Sequence, residues 1–203
     1  MNNTPHTNCL TLRLLHAAKG YKAVAFDIFD TLLKRDCARP ADLFALMEVT
    51  HQAALGFAEA RVAAEAETRQ TLGREVTLAE IYAHPALRGT DPAAECAAEL
   101  AMIAPNRPVA QAAAACHARG QKVYAVSDMY LPKEQIEAML QKCGLDFLDG
   151  VFVSCEHRVQ KRSGKLFKLF LQQTALRPAE VLFVGDSPRA DFAGAALAGI
   201  RCF

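Results

Sequence analysis

The sequence predicts an α/β fold: a doubly wound parallel sheet with a block of helices inserted after its first strand. Three observations predict it. Four short apolar runs rich in Val, Phe and Ile read as buried strands: KAVAFDIF (22–29), KVYAVSD (122–128), GVFVSC (150–155) and VLFVGD (181–186). Helical patterns separate the last three. Between the first and second runs, residues 36–104 carry helix signals and no strand-like run.

The elements follow in chain order. Residues 10–18 read as a short amphipathic helix. Pro40 can open a helix running through Val49 and beyond. Residues 57–72 place Arg61, Glu65 and Arg69 at i, i+4 spacing, with Gly73 as a stop. Thr77 and Glu80 have the spacing of a capping box, and Asp91-Pro92 offers an N-cap with proline at the first helical position. Residues 106–119 form a helix that Gly120 stops; Pro132 opens the next at its first turn and Gly144 closes it. Ser187-Pro188 starts another, with Gly199 past its end, and the final GIRCF begins a fifth strand. The expected division is a core of residues 1–35 and 105–203 around a helical insertion of residues 36–104.

Composition narrows the function classes. A chain of 203 residues buries roughly 70% of its unfolded surface and needs no disulfide staples. With 23 Lys and Arg against 22 Asp and Glu, the net charge of +1 gives no footprint for nucleic acid or an acidic membrane. No apolar run approaches the ~18 residues of a membrane span, and the N-terminus does not read as a signal peptide. Seven cysteines stand singly without a CxxC, so reduced thiols in a cytoplasmic protein are expected. The six histidines show no HExxH, and no zinc site is expected.

The first strand holds an energetic conflict. Asp27 and Asp30 lie in or beside an apolar run, where an unpaired carboxylate costs several kcal/mol. Side chains three apart on a regular strand also face opposite ways, so the backbone must bend if both are to serve one site. Ligands of open α/β sheets bind at the carboxyl ends of strands. There the sequence delivers Asp27 and Asp30, then Ser127 and Asp128, then Asp186 with Asp191 a short turn later. Carboxylates so crowded stay ionised only beside a cation, and oxygen donors select a hard divalent ion, Mg²⁺ above all. A positive group for an anionic substrate is available in HRVQKRSGK, after the third run.

These residues resemble the haloacid dehalogenase superfamily. DIFDTLL resembles its first motif, DxDx[TV]; VYAVSD its second, an apolar strand ending in Ser or Thr; VLFVGDSPRAD its fourth, GDxxxxD. For the motif lysine, Lys161 and Lys165 compete. Lys161 precedes Gly185 by the 24 residues common in the family and keeps Leu166 and Phe167 in register, whereas Lys165 fits neither count. The resemblance runs from residue 22 to about 203, and it implies a Rossmann-like core with a helical cap. A closer likeness is to a bacterial subgroup of hydrolases carrying FDIFDTLLxR, P-x-[DE]-[VL]-F, SDMYLP and GKLF. Members of that subgroup accompany surface-polysaccharide genes, which points to a sugar or polyol phosphate as substrate.

The resemblance implies a Mg²⁺-dependent phosphatase for a small phosphorylated metabolite. Asp27 would attack phosphorus to form an aspartyl-phosphate, and Asp30 would protonate the leaving group and later activate water. Mg²⁺ would sit on Asp27, the carbonyl of Asp30 and Asp186, with Asp191 supporting the metal shell or orienting Lys161. Ser127 and the N–H of Ile28 would hold phosphoryl oxygens. Lys161 would pair with Asp27 and the phosphate, while Asp128 would join the substrate contacts or cap the local turn. Arg35 and Arg39 could meet a second anionic group or form structural pairs. The rivals are a dehalogenase, which generally lacks the second acid; a phosphomutase or phosphotransferase; and a non-catalytic phosphate-binding domain of a larger surface-polysaccharide protein. Other domains of a longer chain are thus among the expected partners.

Overall fold

The computed structural model describes residues 8–203. Helix α1 (Cys9–Ala17) leads into β1 (Ala23–Phe26), and a tight turn follows to β2 (Leu33–Arg35). Four helices come next: α2 (Asp42–Val49), α3 (Phe57–Leu72), α4 (Leu78–Tyr82) and α5 (Pro92–Met102). Strand β3 (Ile103–Pro105) returns the chain to α6 (Arg107–Ala118), β4 (Lys122–Ser127), α7 (Lys133–Lys142) and β5 (Gly150–Val153). The rest is α8 (Ser154–His157), α9 (Lys165–Thr174), β6 (Val181–Val184), a π-helical turn (Pro188–Ala193), α10 (Gly194–Leu197) and β7 (Arg201–Cys202).

The main sheet is parallel throughout, in the order β5-β4-β1-β6-β7. Strand β1 is buried along its whole length, and its side chains alternate between two cores. Val24 and Phe26 enter a cluster with Leu14 of α1, Val109 of α6 and Ile136 of α7. Ala23 and Ala25 enter another with Phe167 and Phe170 of α9 and Ala195 of α10. The strand period of two thus feeds helices on both faces, which is what makes the sheet doubly wound. From β1 the chain moves outward to β4 and β5, then crosses to β6 on the other side. The order reverses between β1 and β6, where such sheets open a crevice.

The inserted helices rise from a two-stranded antiparallel ribbon, with Leu33 opposite Pro105 and Arg35 opposite Ile103. The sequence reading saw no strand between 36 and 104. Ile103 and Ala104 are strand residues because pairing with β2 decides so short a segment, not the local pattern. Within the insertion, Thr77 and Glu80 complete their capping box, and the Asp91 carboxylate accepts the Ala93 N–H at 2.9 Å. Arg61, expected only as one member of an i, i+4 series, is fully buried. It donates to both oxygens of Glu95 (2.7 and 2.9 Å) and to Glu65 (3.0 Å), and its guanidinium lies over the rings of Phe44 and Tyr130. A charge so buried survives because every face of it is met.

Two boundaries differ from expectation. The helix after Pro40 begins at Asp42 and stops at Val49. The run GVFVSC leaves the sheet at Val153, because Ser154 and Cys155 already belong to α8.

Candidate active site

Strand β1 ends at Phe26, but the ladder reaches one residue further: the Asp27 N–H donates to the Val184 carbonyl at 2.8 Å. The chain then curls. Leu32 N–H returns to the Asp27 carbonyl (3.3 Å) and Leu33 N–H to the Ile28 carbonyl (2.8 Å), wide i→i+5 turns that bend the strand out of plane. Asp30 adopts φ 61°, the left-handed region that aspartate tolerates better than most residues. This bend resolves the conflict posed by two acids in an apolar run: Asp27 stays inside and Asp30 is exposed.

Asp27 is buried, and Lys161 Nζ lies 2.5 Å from its Oδ1. The same ammonium stands 2.6 Å from Asp191 Oδ1. Burial raises the Asp27 carboxyl to about 6, while Lys161 pulls the other way. Burial alone would lower the Lys161 ammonium; Asp27 and Asp191 outweigh it and hold the group well above its ordinary value. The lysine therefore remains charged. Lys165, its competitor, is exposed at the start of α9.

Two close backbone approaches build this arrangement. A Cβ on Gly194 would overlap the Lys161 carbonyl, and one on Gly185 would lie 2.5 Å from Asp191 Oδ2 and 2.7 Å from its Cβ. Asp191 Oδ2 accepts the N–H groups of Asp186 (3.1 Å) and Ser187 (3.0 Å), so Asp191 orders the turn that carries Asp186. Asp128 turns its carboxylate to the Lys161 backbone N–H (2.8 and 3.1 Å), fixing the loop from which the lysine projects. Its own carboxyl is raised to about 6, by burial first and against the pull of Lys161. Ser127 is buried at the end of β4, the strand beside β1, and Ile28 is fully buried just after Asp27.

Asp27, Asp186 and Asp191 each offer a carboxylate oxygen, all within 4.8 Å of one another. The set suits a hard divalent cation. Asp191 Oδ1 is the one buried side-chain oxygen or nitrogen among the described residues with no partner in full hydrogen-bond geometry; the Lys161 ammonium stands 2.6 Å from it. Asp191 is otherwise spent on Lys161 and the backbone, leaving Asp27 Oδ2 and exposed Asp186 as the freer donors.

Asp30 does not join this cluster. DIFDTLL spaces its acids by three residues, one more than DxDx[TV], so counting from Asp27 places Phe29 where the second acid of that motif stands. Phe29 packs under the Arg35 guanidinium, 4.0 Å from its ring centroid. Asp30 instead borders a cavity of about 240 Å³ together with Thr31, Asn106 and Asp186. Arg35 and Arg39 are spent on carboxylates: Arg35 is bidentate to Glu99 (2.9 and 3.1 Å), and Arg39 pairs with Asp42 (2.8 Å).

Sequence reasoning passed over three contributors. Thr31 Oγ1 donates to Asp186 Oδ1 at 3.3 Å, and Asn106 Nδ2 donates to the Thr31 carbonyl at 2.7 Å. Glu75, in the loop between α3 and α4, is 2% exposed and reaches from the insertion to α8 and the loop before Lys161. It accepts from Ser154 Oγ (3.1 Å), Arg69 (2.5 Å) and Gln160, the neighbour of Lys161. Ser154 Oγ in turn accepts the Met129 N–H (2.9 Å). No local motif marks Glu75; its partners lie far away in the chain.

The site thus gathers three carboxylates and a lysine at the reversal point of a parallel α/β sheet. The family model for haloacid dehalogenase-like hydrolases matches residues 21–199, and the chain belongs to that family. Among curated proteins the sequence finds no match. Solved structures share the fold at low identity. L-2-haloacid dehalogenase from Xanthobacter autotrophicus is 23% identical with a TM-score of 0.61, covering 90% of this chain and 76% of its own. A HAD phosphatase from Thermococcus onnurineus is 21% identical with a TM-score of 0.62, covering 89% and 84%. YfnB of Bacillus subtilis, solved bound to magnesium, is 18% identical with a TM-score of 0.61, covering 90% and 87%.

Proposed function

We propose that the chain is a Mg²⁺-dependent phosphatase acting on a small phosphorylated metabolite, with a sugar or polyol phosphate the favoured class. The observation that carries this reading is the Asp27–Lys161–Asp191 chain beside Asp186. An anionic nucleophile can approach an anionic phosphoryl group only where positive charge is concentrated. The magnesium-bound and phosphatase relatives support the same reading at the level of fold.

In this mechanism Asp27 Oδ attacks phosphorus, the bond to the alcohol oxygen breaks, and a phosphorylated Asp27 results. Lys161 keeps Asp27 ionised and meets the phosphoryl oxygens; Ser127 and the Ile28 N–H hold them. Asp27 and Asp186 would hold Mg²⁺, and Asp191 would orient Lys161. When bound, the ion would neutralise phosphoryl charge and align the group for attack. Asp30, the exposed acid of the same turn, is assigned the proton to the leaving oxygen and the later activation of water. The inserted helices act as a cap that excludes water from the reacting groups.

A second reading has one observation in its favour. Phe29 stands where phosphatases of the first-motif pattern carry their second acid, which suits displacement of halide by Asp27 with no leaving-group protonation. The test measures release of phosphate from p-nitrophenyl phosphate and of chloride from 2-chloropropionate. Phosphate release that Asp27→Asn abolishes and EDTA suppresses supports the phosphatase; chloride release unaffected by EDTA overturns it. Asp30→Asn is expected to slow phosphate release by ~10²–10⁴-fold, and an unchanged rate would remove Asp30 from the mechanism.

A further inference from the structure

We propose that the seam between the inserted helices and the sheet is a second anion-binding site, for a phosphate, pyrophosphate or carboxylate group, separate from the Asp27 centre. A cavity of about 650 Å³ opens there. The insertion contributes Arg69 and Arg74 to its lining, and the loop from Arg158 to Lys165 contributes Arg158, Arg162 and Lys165. Glu75 is the single acid among the lining residues.

The cations outnumber their partners. Arg69 pairs with Glu65 and Glu75, while Arg74 and Arg158 share Glu80. Glu65 is divided further, since it also serves buried Arg61. Arg162 and Lys165 have no carboxylate within ion-pair distance among the described residues. Five positive groups therefore meet three carboxylates, and they come from both sides of the seam. Like charges so placed repel, and a multiply charged anion is the ligand that relieves the repulsion. Guanidinium forks suit phosphate and carboxylate oxygens in particular.

The cavity backs onto the catalytic loop without sharing its groups. Val159, Gln160 and Arg162 line it, whereas Lys161 turns its side chain the other way, to Asp27 and Asp191. An anion held here would tie α3 to the Lys161 loop. It could be a second charged group of the substrate or a free anion that seats the insertion.

Titration calorimetry of the full chain with pyrophosphate, in EDTA and at low salt, tests the site. Arg162 and Lys165 are exposed, so Arg162→Gln with Lys165→Gln is expected to fold and to weaken binding at least tenfold. The charge-conserving pair Arg162→Lys with Lys165→Arg is expected to retain it. Superimposable isotherms for wild type and the glutamine pair overturn the proposal, as does absence of any binding in wild type. This measurement needs no turnover, so it stands apart from the phosphatase reading; the assignment of source rests on that reading. A higher KM in the glutamine pair for a bisphosphate, with p-nitrophenyl phosphate unaffected, assigns the site to the substrate. Pyrophosphate altering p-nitrophenyl phosphate turnover more in wild type than in the glutamine pair assigns it to a free anion.

Discussion

At the scale of single residues, the site depends on a few groups held where water would normally be preferred. Asp128 is one. Its carboxyl is raised to about 6 from 3.8, chiefly by burial, with Lys161, Glu75 and Asp27 as its charged surroundings. Between those two values the folded chain keeps a proton that the unfolded chain has lost. Stability is therefore expected to fall as pH rises from about 4 to 6, by up to ~3 kcal/mol from this group. Asp128→Asn preserves an acceptor for the Lys161 N–H and is expected to flatten that part of the urea-denaturation profile against pH; an unchanged slope would exclude Asp128 as its source. Gly185 and Gly194 are the other pressure points. Gly185→Ala drives a methyl into Asp191, and Gly194→Ala drives one into the Lys161 carbonyl. Each is expected to cost ~1–3 kcal/mol in denaturant titration and to lower turnover further than that loss explains.

At the scale of elements, the loop between α3 and α4 ties the insertion to the segments that follow β4 and β5. Besides the bonds of Glu75, the Leu78 N–H reaches the Tyr130 carbonyl at 2.8 Å. Glu75 touches Ser154, which holds Met129, and Gln160, which adjoins Lys161, so it braces both segments around the Lys161–Asp128 contact. Glu75→Ala is expected to lower kcat at least tenfold with a smaller change in KM, and Glu75→Gln to restore part of it. Equal losses of kcat in both variants, accompanied by lower melting temperatures, would mark Glu75 as a packing residue only. The elements also separate what was legible from what was not. Strands β1, β4 and β6 announced themselves by apolar runs, and the insertion's caps by Thr77, Glu80, Asp91 and Pro92, because those signals are local. Ribbon strand β3 and Glu75 did not, because distant residues decide them. The orientation of Asp30 was not legible for a different reason: its spacing from Asp27 is one residue longer than the motif's, and the wide turn carries it outward.

At the scale of the whole molecule, the acidic cluster proposed to hold Mg²⁺ is assembled only in the folded chain. Binding of Mg²⁺ to the folded state alone is expected to raise the melting temperature by an increment equivalent to ~2.7 kcal/mol at a hundred times the dissociation constant. Asp186→Asn is expected to remove that increment, as read by scanning calorimetry with and without Mg²⁺. An increment that survives the substitution would place the ion elsewhere. Among the described residues no helix is long and apolar enough to cross a membrane.

The ribbon of β2 and β3 has a consequence for how such a molecule can be altered. Arg35 sits opposite Ile103, so the chain leaves for the insertion and returns from it at neighbouring points. A two-residue hairpin turn could close that gap, since antiparallel partners need no longer connection. The helices between could then be exchanged like a fitting on a socket, while Asp27, Lys161 and Asp186 stay on segments of chain outside the exchanged piece, provided the replacement supplies the contacts of Glu75 to Ser154 and Gln160.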